Sequence, residues 1–411
     1  MRMKFNKSSQ LLLVSAASLM AAVLITACGT ATVDFVYVAS SRAAGPNNYG
    51  EIDVFEINGV SGYMRQIPTS PFPSAGRNPV AEAVSSDSTM LYVVNQDDNT
   101  IVQFLIGTDG KLYPQNTVNT PGIYPLAVAV SGTNLFVVDT YQPLPACSSA
   151  DPCSGSVGVF PLLPATTGAN PTPAGAPGTP VVNTSIGASY WPLTLPSNPT
   201  HVITPTAVNV LKSGAGLFVA AYDASVTPNV GYVFGFSIGT GGMLTPLHGG
   251  VPFVAGVHPS AIASDSTSAY VYVTDFANGN IRGFSFASGL LTSLSGSPFP
   301  AGNQPTAIVV DPAYPFAYVA NGLDGSVNAY SISSGALTRV GTYSAGTQPV
   351  AMGIDPSTNH FLFTANFLGS NVSDFELSAT AGTLTNTQLS PYTSNAQPTA
   401  VAAVAHGSTQ K

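Results

Sequence analysis

Short apolar runs rich in Val, Ile, Tyr and Phe, separated by Gly, Pro, Asn and Asp, recur along most of the chain. The stretch 304–340 shows the pattern most regularly. Thr306 to Val310, Ala317 to Ala320, Val327 to Ser331 and a weaker run from Leu337 are parted by Asp311, Pro312, Asn321, Gly322, Gly325 and Gly335. Runs this short, β-branched and aromatic, and bounded by turn residues predict four antiparallel strands; helical and coiled-coil readings fail on length and period.

Two anchors recur seven times. Pro-x-Ala opens an apolar run at Pro79, Pro125, Pro205, Pro259, Pro305, Pro349 and Pro398, and an aromatic centres the next run at Tyr37, Tyr92, Phe136, Phe218, Tyr272, Tyr318 and Phe363. A third run carries its own aromatic at Phe55, Phe104, Phe160, Phe236, Phe284, Tyr330 and Phe375. Seven four-stranded units predict an all-β fold, a seven-bladed β-propeller. The first unit lacks a Pro-x-Ala run and the last Pro-x-Ala run, Pro398 to Val404, has no partner, so the C-terminal strand is expected to complete the N-terminal blade and close the ring.

Inner-strand positions two and four after the proline are mostly small, as at Ala81 and Ala83 or Ala127 and Ala129, which lets blades converge. Glu82 and Asn209 break the rule, and Glu82 is expected to face channel water. The aromatic spacing is 44 to 55 residues except for 82 between Phe136 and Phe218. An insertion over 140–203 therefore falls in the third unit; a segment this long is either functional or loosely ordered. Pro-Phe and Pro-Tyr pairs at 71–72, 252–253, 298–299 and 391–392 read as wedges between blades.

Charge and address change the picture in one respect. Arg2, Lys4 and Lys7 precede an apolar run from Leu11 to Ile25 that ends at Cys28. This is a leader pattern, and Ile25-Thr26-Ala27-Cys28 resembles the bacterial lipobox, which implies cleavage and lipidation at Cys28. The expected organisation is a leader over 1–27, a lipidated Cys and tether over 28–32, one propeller over 33–406 and a tail over 407–411. Without the leader, 8 basic residues face 19 acidic ones, a net charge of −11. That balance excludes nucleic acid as a partner and leaves the lipid anchor as the sole membrane attachment. Outside the cytoplasm Cys147 and Cys153 pair most simply as a disulfide. No metal spacing and no phosphate-cradling loop is present, so no metal or cofactor is expected. The protein is expected to be a monomer in the cell envelope.

Antiparallel order puts the starts of the first strands and the ends of the second on one face. Asn78, Tyr124, Thr204, His258, Gln304, Gln348 and Gln397 lie there, with Asn95, Asp139, Asp275, Asn321 and Asn366. Side chains from several blades converging at such a mouth make a site for a small molecule, peptide or glycan. The ligand-binding candidates are Asn78, Asp139, Asp275, Gln304 and Gln348, with Tyr190 and Trp191 of the insertion as stacking groups. Asn and Asp at these places also make turns without any ligand. Glu82, His258 and Arg77 are the candidates for chemistry: a carboxylate or imidazole to activate water, and a cation to hold an oxyanion.

Tyr272-Val273-Thr274-Asp275, Tyr318-Val319-Ala320-Asn321 and GSPFPAG at 296–302 resemble the lactonase-type seven-bladed propellers, which include 6-phosphogluconolactonase-like and YVTN-repeat proteins. The resemblance covers about 33–406 and implies the fold. Lactonases of the group are associated with Glu, His and Arg on one face, and no residue here aligns with a catalytic motif. The first expectation is a lipid-anchored binding scaffold; the alternative is a hydrolase that opens an extracytoplasmic lactone.

Overall fold

A computed structural model of the protein describes residues 32–42, 46–144, 147, 153–167 and 173–405. The leader and Cys28 lie outside the described residues. Seven antiparallel sheets form a seven-bladed propeller. Blade two is typical: Pro79–Val84, Met90–Asn95, Thr100–Ile106 and Leu112–Asn119 run from the axis outward. In blade one, Pro398–Ala405 pairs with Thr32–Ser40, with Asp34 opposite Ala405 and Ala39 opposite Ala400. Ring closure by the C-terminal strand is as the sequence predicts.

Seven apolar layers hold the ring, one at each seam between blades. Alternation along each strand sends side chains to the two flanking blades, because every sheet stands radially and shows the axis only its inner edge. This geometry corrects the expectation for Glu82. Its place is that of Val128, Val208, Ile262 and Val401 in other blades, within a seam layer, and both carboxyl oxygens are buried without a hydrogen bond. Glu82 does not face channel water.

Every inner strand carries an irregularity between the proline and the alanine of its anchor, as at Pro79/Ala81, Pro305/Ala307 and Pro349/Ala351. A bulge re-aims one side chain. In three blades that residue's hydroxyl donates across the seam to the next blade's proline carbonyl: Ser260 to Pro305 at 2.5 Å, Thr306 to Pro349 at 2.6 Å and Thr399 to Pro79 at 2.7 Å, whereas Thr206 donates to Ala220 within its own blade. The aromatic anchors are struts as well. Tyr37, Tyr92 and Tyr272 donate to the carbonyls of Gly110, Gly175 and Gly335 in the next blade. Gly335 has φ +83°, and a Cβ there would lie 2.5 Å from Tyr270, so glycine lets that turn approach the seam.

The outermost strand is split in five blades. In blade five, Leu290–Ser293 and Phe299–Pro300 both pair with Asn280–Ala287. The Pro-Phe and Pro-Tyr pairs mark where that strand rejoins its sheet, with Phe72 opposite Ile52 and Tyr392 opposite Val372. They are more than wedges: the backbone continues the sheet while Phe253, Phe299 and Tyr392 fill seam layers.

The insertion lies in blade three. Cys147 and Cys153 are disulfide-bonded, with Cα atoms 5.2 Å apart. Ala176–Pro177 and Trp191–Pro192 add short outer strands against Ser156–Leu163.

Candidate functional site

Residues closing the second strands are buried staples. The Asp139 carboxylate accepts the Gly122 N–H at 3.0 Å, and the Asn321 side chain accepts Gly302 N–H at 2.9 Å. Asp275 takes three donors: Val257 N–H at 3.0 Å, His258 N–H at 3.1 Å and the Asn278 amide at 2.8 Å. Gly256, at φ +95°, precedes these and leaves no room for a Cβ beside the Asp275 carboxylate. Asp139 and Asp275 are fully buried and satisfy backbone groups rather than offering themselves at the mouth. Desolvation pushes the Asp139 carboxyl up to about 7, against the opposing hydrogen bonds of Thr120 and Gly122.

Asp275 has a second consequence: it fixes His258. The imidazole stacks on Tyr222 with ring centroids 4.2 Å apart and tilts against Phe276 at 5.6 Å. Its Nδ1 is buried and has no hydrogen-bond partner. Beside it lies an open cleft of about 550 Å³ lined by His258, Phe276, Asn229, Asn278, Asn303 and Gln304, with apolar Val257 and Leu323. Among the described residues the Asn229 and Gln304 side-chain amides make no hydrogen bond, whereas Asn303 is held by Asp324 at 2.8 Å. None of the residues lining the cleft is charged.

The other proposed residues lie elsewhere. Arg77 is half-exposed and bound to Asp98, through its Nε at 2.6 Å and its backbone N–H at 2.7 Å. Asn78 donates its amide to Gln96 and Asp97. Glu82 and Arg77 belong to blade two and His258 to blade five, three blades round the ring, so the three do not share a pocket. Burial drives the Glu82 carboxyl well above the usual range. Trp191 is 3% exposed in the seam between blades three and four, and Tyr190 is half-buried with its carbonyl bound by Asn183. Trp191 thus packs that seam, against Phe136, Leu217 and Phe234. Gln304 lines the cleft, and Gln348 holds the equivalent place one blade on.

Sequence reasoning missed Tyr222, Phe276 and Asn229, which lack any motif of their own, and it missed the pair His201–Asp223. The insertion brings His201 Nδ1 to 2.6 Å from Asp223 Oδ2, with Asp223 2% exposed. The pair was foreseeable in part: Asp223 closes a second strand as Asp139 and Asp275 do, and His201 is a lone imidazole in an inserted loop. Among the described residues, no cluster of three or more His, Cys, Asp or Glu could hold a metal ion.

Comparison with known proteins agrees with this architecture. The sequence family described as Lactonase, 7-bladed beta-propeller matches residues 290–402. No curated protein matches the chain. The structure of a periplasmic gluconolactonase of Pseudomonas aeruginosa superposes with a TM-score of 0.68 at 19% identity, over 91% of this chain and 99% of that one. A 6-phosphogluconolactonase candidate of Bacteroides fragilis gives 0.67 at 19% identity, over 92% and 99%. A second candidate, from Bacteroides uniformis, gives 0.67 at 17% identity, over 91% and 100%. At these identities the likeness is one of fold: the chain is a lactonase-like seven-bladed propeller.

Proposed function

We propose that the protein is a hydrolase that opens a neutral sugar lactone in the cleft beside His258. The observation that carries the reading is that cleft: an imidazole clamped between two aromatic rings faces a pocket walled by amides and free of charge. The Lactonase match, which includes Gln304 and Leu323, and the fold shared with a periplasmic gluconolactonase support a lactone over the binding scaffold.

Amide side chains both donate and accept, as a polyhydroxylated ring requires. A phosphorylated lactone would bring a dianion into a cleft with no Lys or Arg along its wall, which favours the unphosphorylated substrate. In the reaction a water oxygen attacks the lactone carbonyl carbon while His258 takes the water proton. The free amides of Asn229 and Gln304 are donors for the carbonyl oxygen as it gains charge. Collapse breaks the ring C–O bond, the imidazolium returns its proton to the departing alkoxide, and a hydroxy acid leaves. Asp275 is a positioning residue through its bond to the His258 backbone. The leader at 1–27 supports an exported location, where a lactone formed outside the cytoplasm would be met.

The test is hydrolysis by residues 29–411 of D-glucono-1,5-lactone and of its 6-phosphate, each corrected for spontaneous opening. The neutral lactone is expected to be preferred, and His258→Gln to lower kcat about 100-fold, the usual size of a general-base contribution. Opening of no lactone would return the scaffold reading; unchanged turnover in His258→Gln would move the chemistry elsewhere.

A further inference from the structure

The residue ahead of each inner-strand proline is held in the same way in most blades. The carbonyls of Gln304 and Gln348 accept the N–H groups of Gly322 and Phe367 at 2.8 and 2.9 Å, those of Asn78 and His258 accept Gln96 and Phe276 N–H, and that of Gln397 accepts Ser41 N–H. Repeated anchoring gives the side chains equivalent places round the mouth. Asn78, Tyr124, Gln304, Gln348 and Gln397 all have φ between +51° and +63°. Positive φ is unfavourable for a residue with a side chain, and a following proline favours extended backbone instead. Glycine would meet the requirement without that cost. Blades six, seven and one nevertheless carry Gln304, Gln348 and Gln397 in succession.

The three amides share a second property: none makes a hydrogen bond among the described residues, although the Asn78 amide in the next blade is taken by Gln96 and Asp97. Gln304 and Gln397 are exposed and Gln348 is half-buried. Gln304 also lines the His258 cleft, so the row of amides continues from the cleft along the mouth. Backbone strain retained at neighbouring positions, with free side chains at each, is a mark of ligand recognition.

We infer that Gln304, Gln348 and Gln397 form a saccharide subsite continuing from the cleft, so that the substrate is the terminal lactone of a disaccharide or longer sugar acid. The inference rests on the lactone reading for the bond that is cleaved, but not for the binding of sugar. Paired donors and acceptors on uncharged amides match successive hydroxyls, and a row along three blades exceeds what one sugar ring presents. Blades four and five, with Thr204 and His258, break the row where the chemistry is proposed.

The experiment compares kcat/KM for D-glucono-1,5-lactone and maltobionolactone in the wild-type protein, Gln348→Gly and Gln397→Gly. Glycine removes the amide and relieves the backbone, so both variants are expected to fold with unchanged or raised Tm. Each is expected to lose about three- to tenfold on the disaccharide lactone, the value of one hydrogen bond, and less than about twofold on the monosaccharide. Equal loss on both lactones, or none on either, overturns the subsite. If no lactone is opened, calorimetric titration with maltose decides alone. Binding weakened by the same variants keeps the subsite without the activity, and absence of binding overturns it.

Discussion

Thr399 donates its hydroxyl to the carbonyl of Pro79, 2.7 Å away, across the seam where the last strand of the chain meets the second blade. The bulge between Pro398 and Ala400 turns that hydroxyl toward its neighbour, as bulges do at Ser260 and Thr306. Val80 and Val350 stand at the same place, so valine fits there. Thr399→Val should therefore lower stability by about 1 kcal/mol through the lost hydrogen bond alone. Urea denaturation would show it as a lower midpoint at unchanged slope.

Glu82 is a carboxyl at a seam layer built from aliphatic and aromatic side chains, among them Tyr37 and Phe104. A buried acid without a partner is unfavourable, and more so when ionised. Glu82→Val restores what blades three, four and one carry and is expected to raise stability by about 1–3 kcal/mol at neutral pH. Because the folded carboxyl titrates well above an unfolded one, its unfavourable contribution grows as pH rises. The gain in Tm from the substitution should be larger at pH 8 than at pH 4; a gain independent of pH would mean the carboxyl is solvated.

Asp139 gives a narrower window. Its carboxyl stays protonated in the fold up to about pH 7, whereas in the unfolded chain it ionises from the ordinary value of 3.8. Between those limits the native state holds the extra proton, so stability falls as pH rises and levels off above about 7. Asp53, pushed up to about 6 by burial against the opposing bonds of Asn395 and Gln66, acts in the same direction. Asp139→Asn keeps an acceptor for Gly122 N–H and removes the titration. Its stability advantage over the wild type should increase from pH 4 to pH 7 by roughly 3 kcal/mol, read from denaturation midpoints; parallel profiles would refute the assignment.

His201 holds the insertion to blade four. Removing it with His201→Ala leaves the buried Asp223 carboxylate with the Ser225 N–H at 2.9 Å. Loss of the partner of a buried charged group is expected to cost about 1–3 kcal/mol. Native-state hydrogen exchange would place the effect: amides of 201–203 and of Ser225 should lose protection while blades six and seven do not.

The propeller was legible because its signal repeats. Seven Pro-x-Ala anchors and seven aromatics fall where inner and second strands form, and the unpaired Pro398 run predicted closure. Side-chain roles were less legible, since they depend on the direction a strand presents to its neighbours. Glu82 read as channel-facing until the radial stance of the sheets turned it into a seam. Asp275 read as a ligand group because its backbone partners, Val257 and His258, lie 18 and 17 residues away. Tyr222 came into contact with His258 only by the meeting of two blades, which no local pattern records.

The pairing of Thr32–Ser40 with Pro398–Ala405 also orders events in time. As the chain emerges from the ribosome, the first blade presents an open edge of N–H and C=O groups until more than 350 further residues have followed. Such an edge is a template for wrong partners. The ring is completed by its last-made strand, so an interrupted chain carries that edge permanently, and quality control that recognises unpaired strands can tell truncated copies from finished ones.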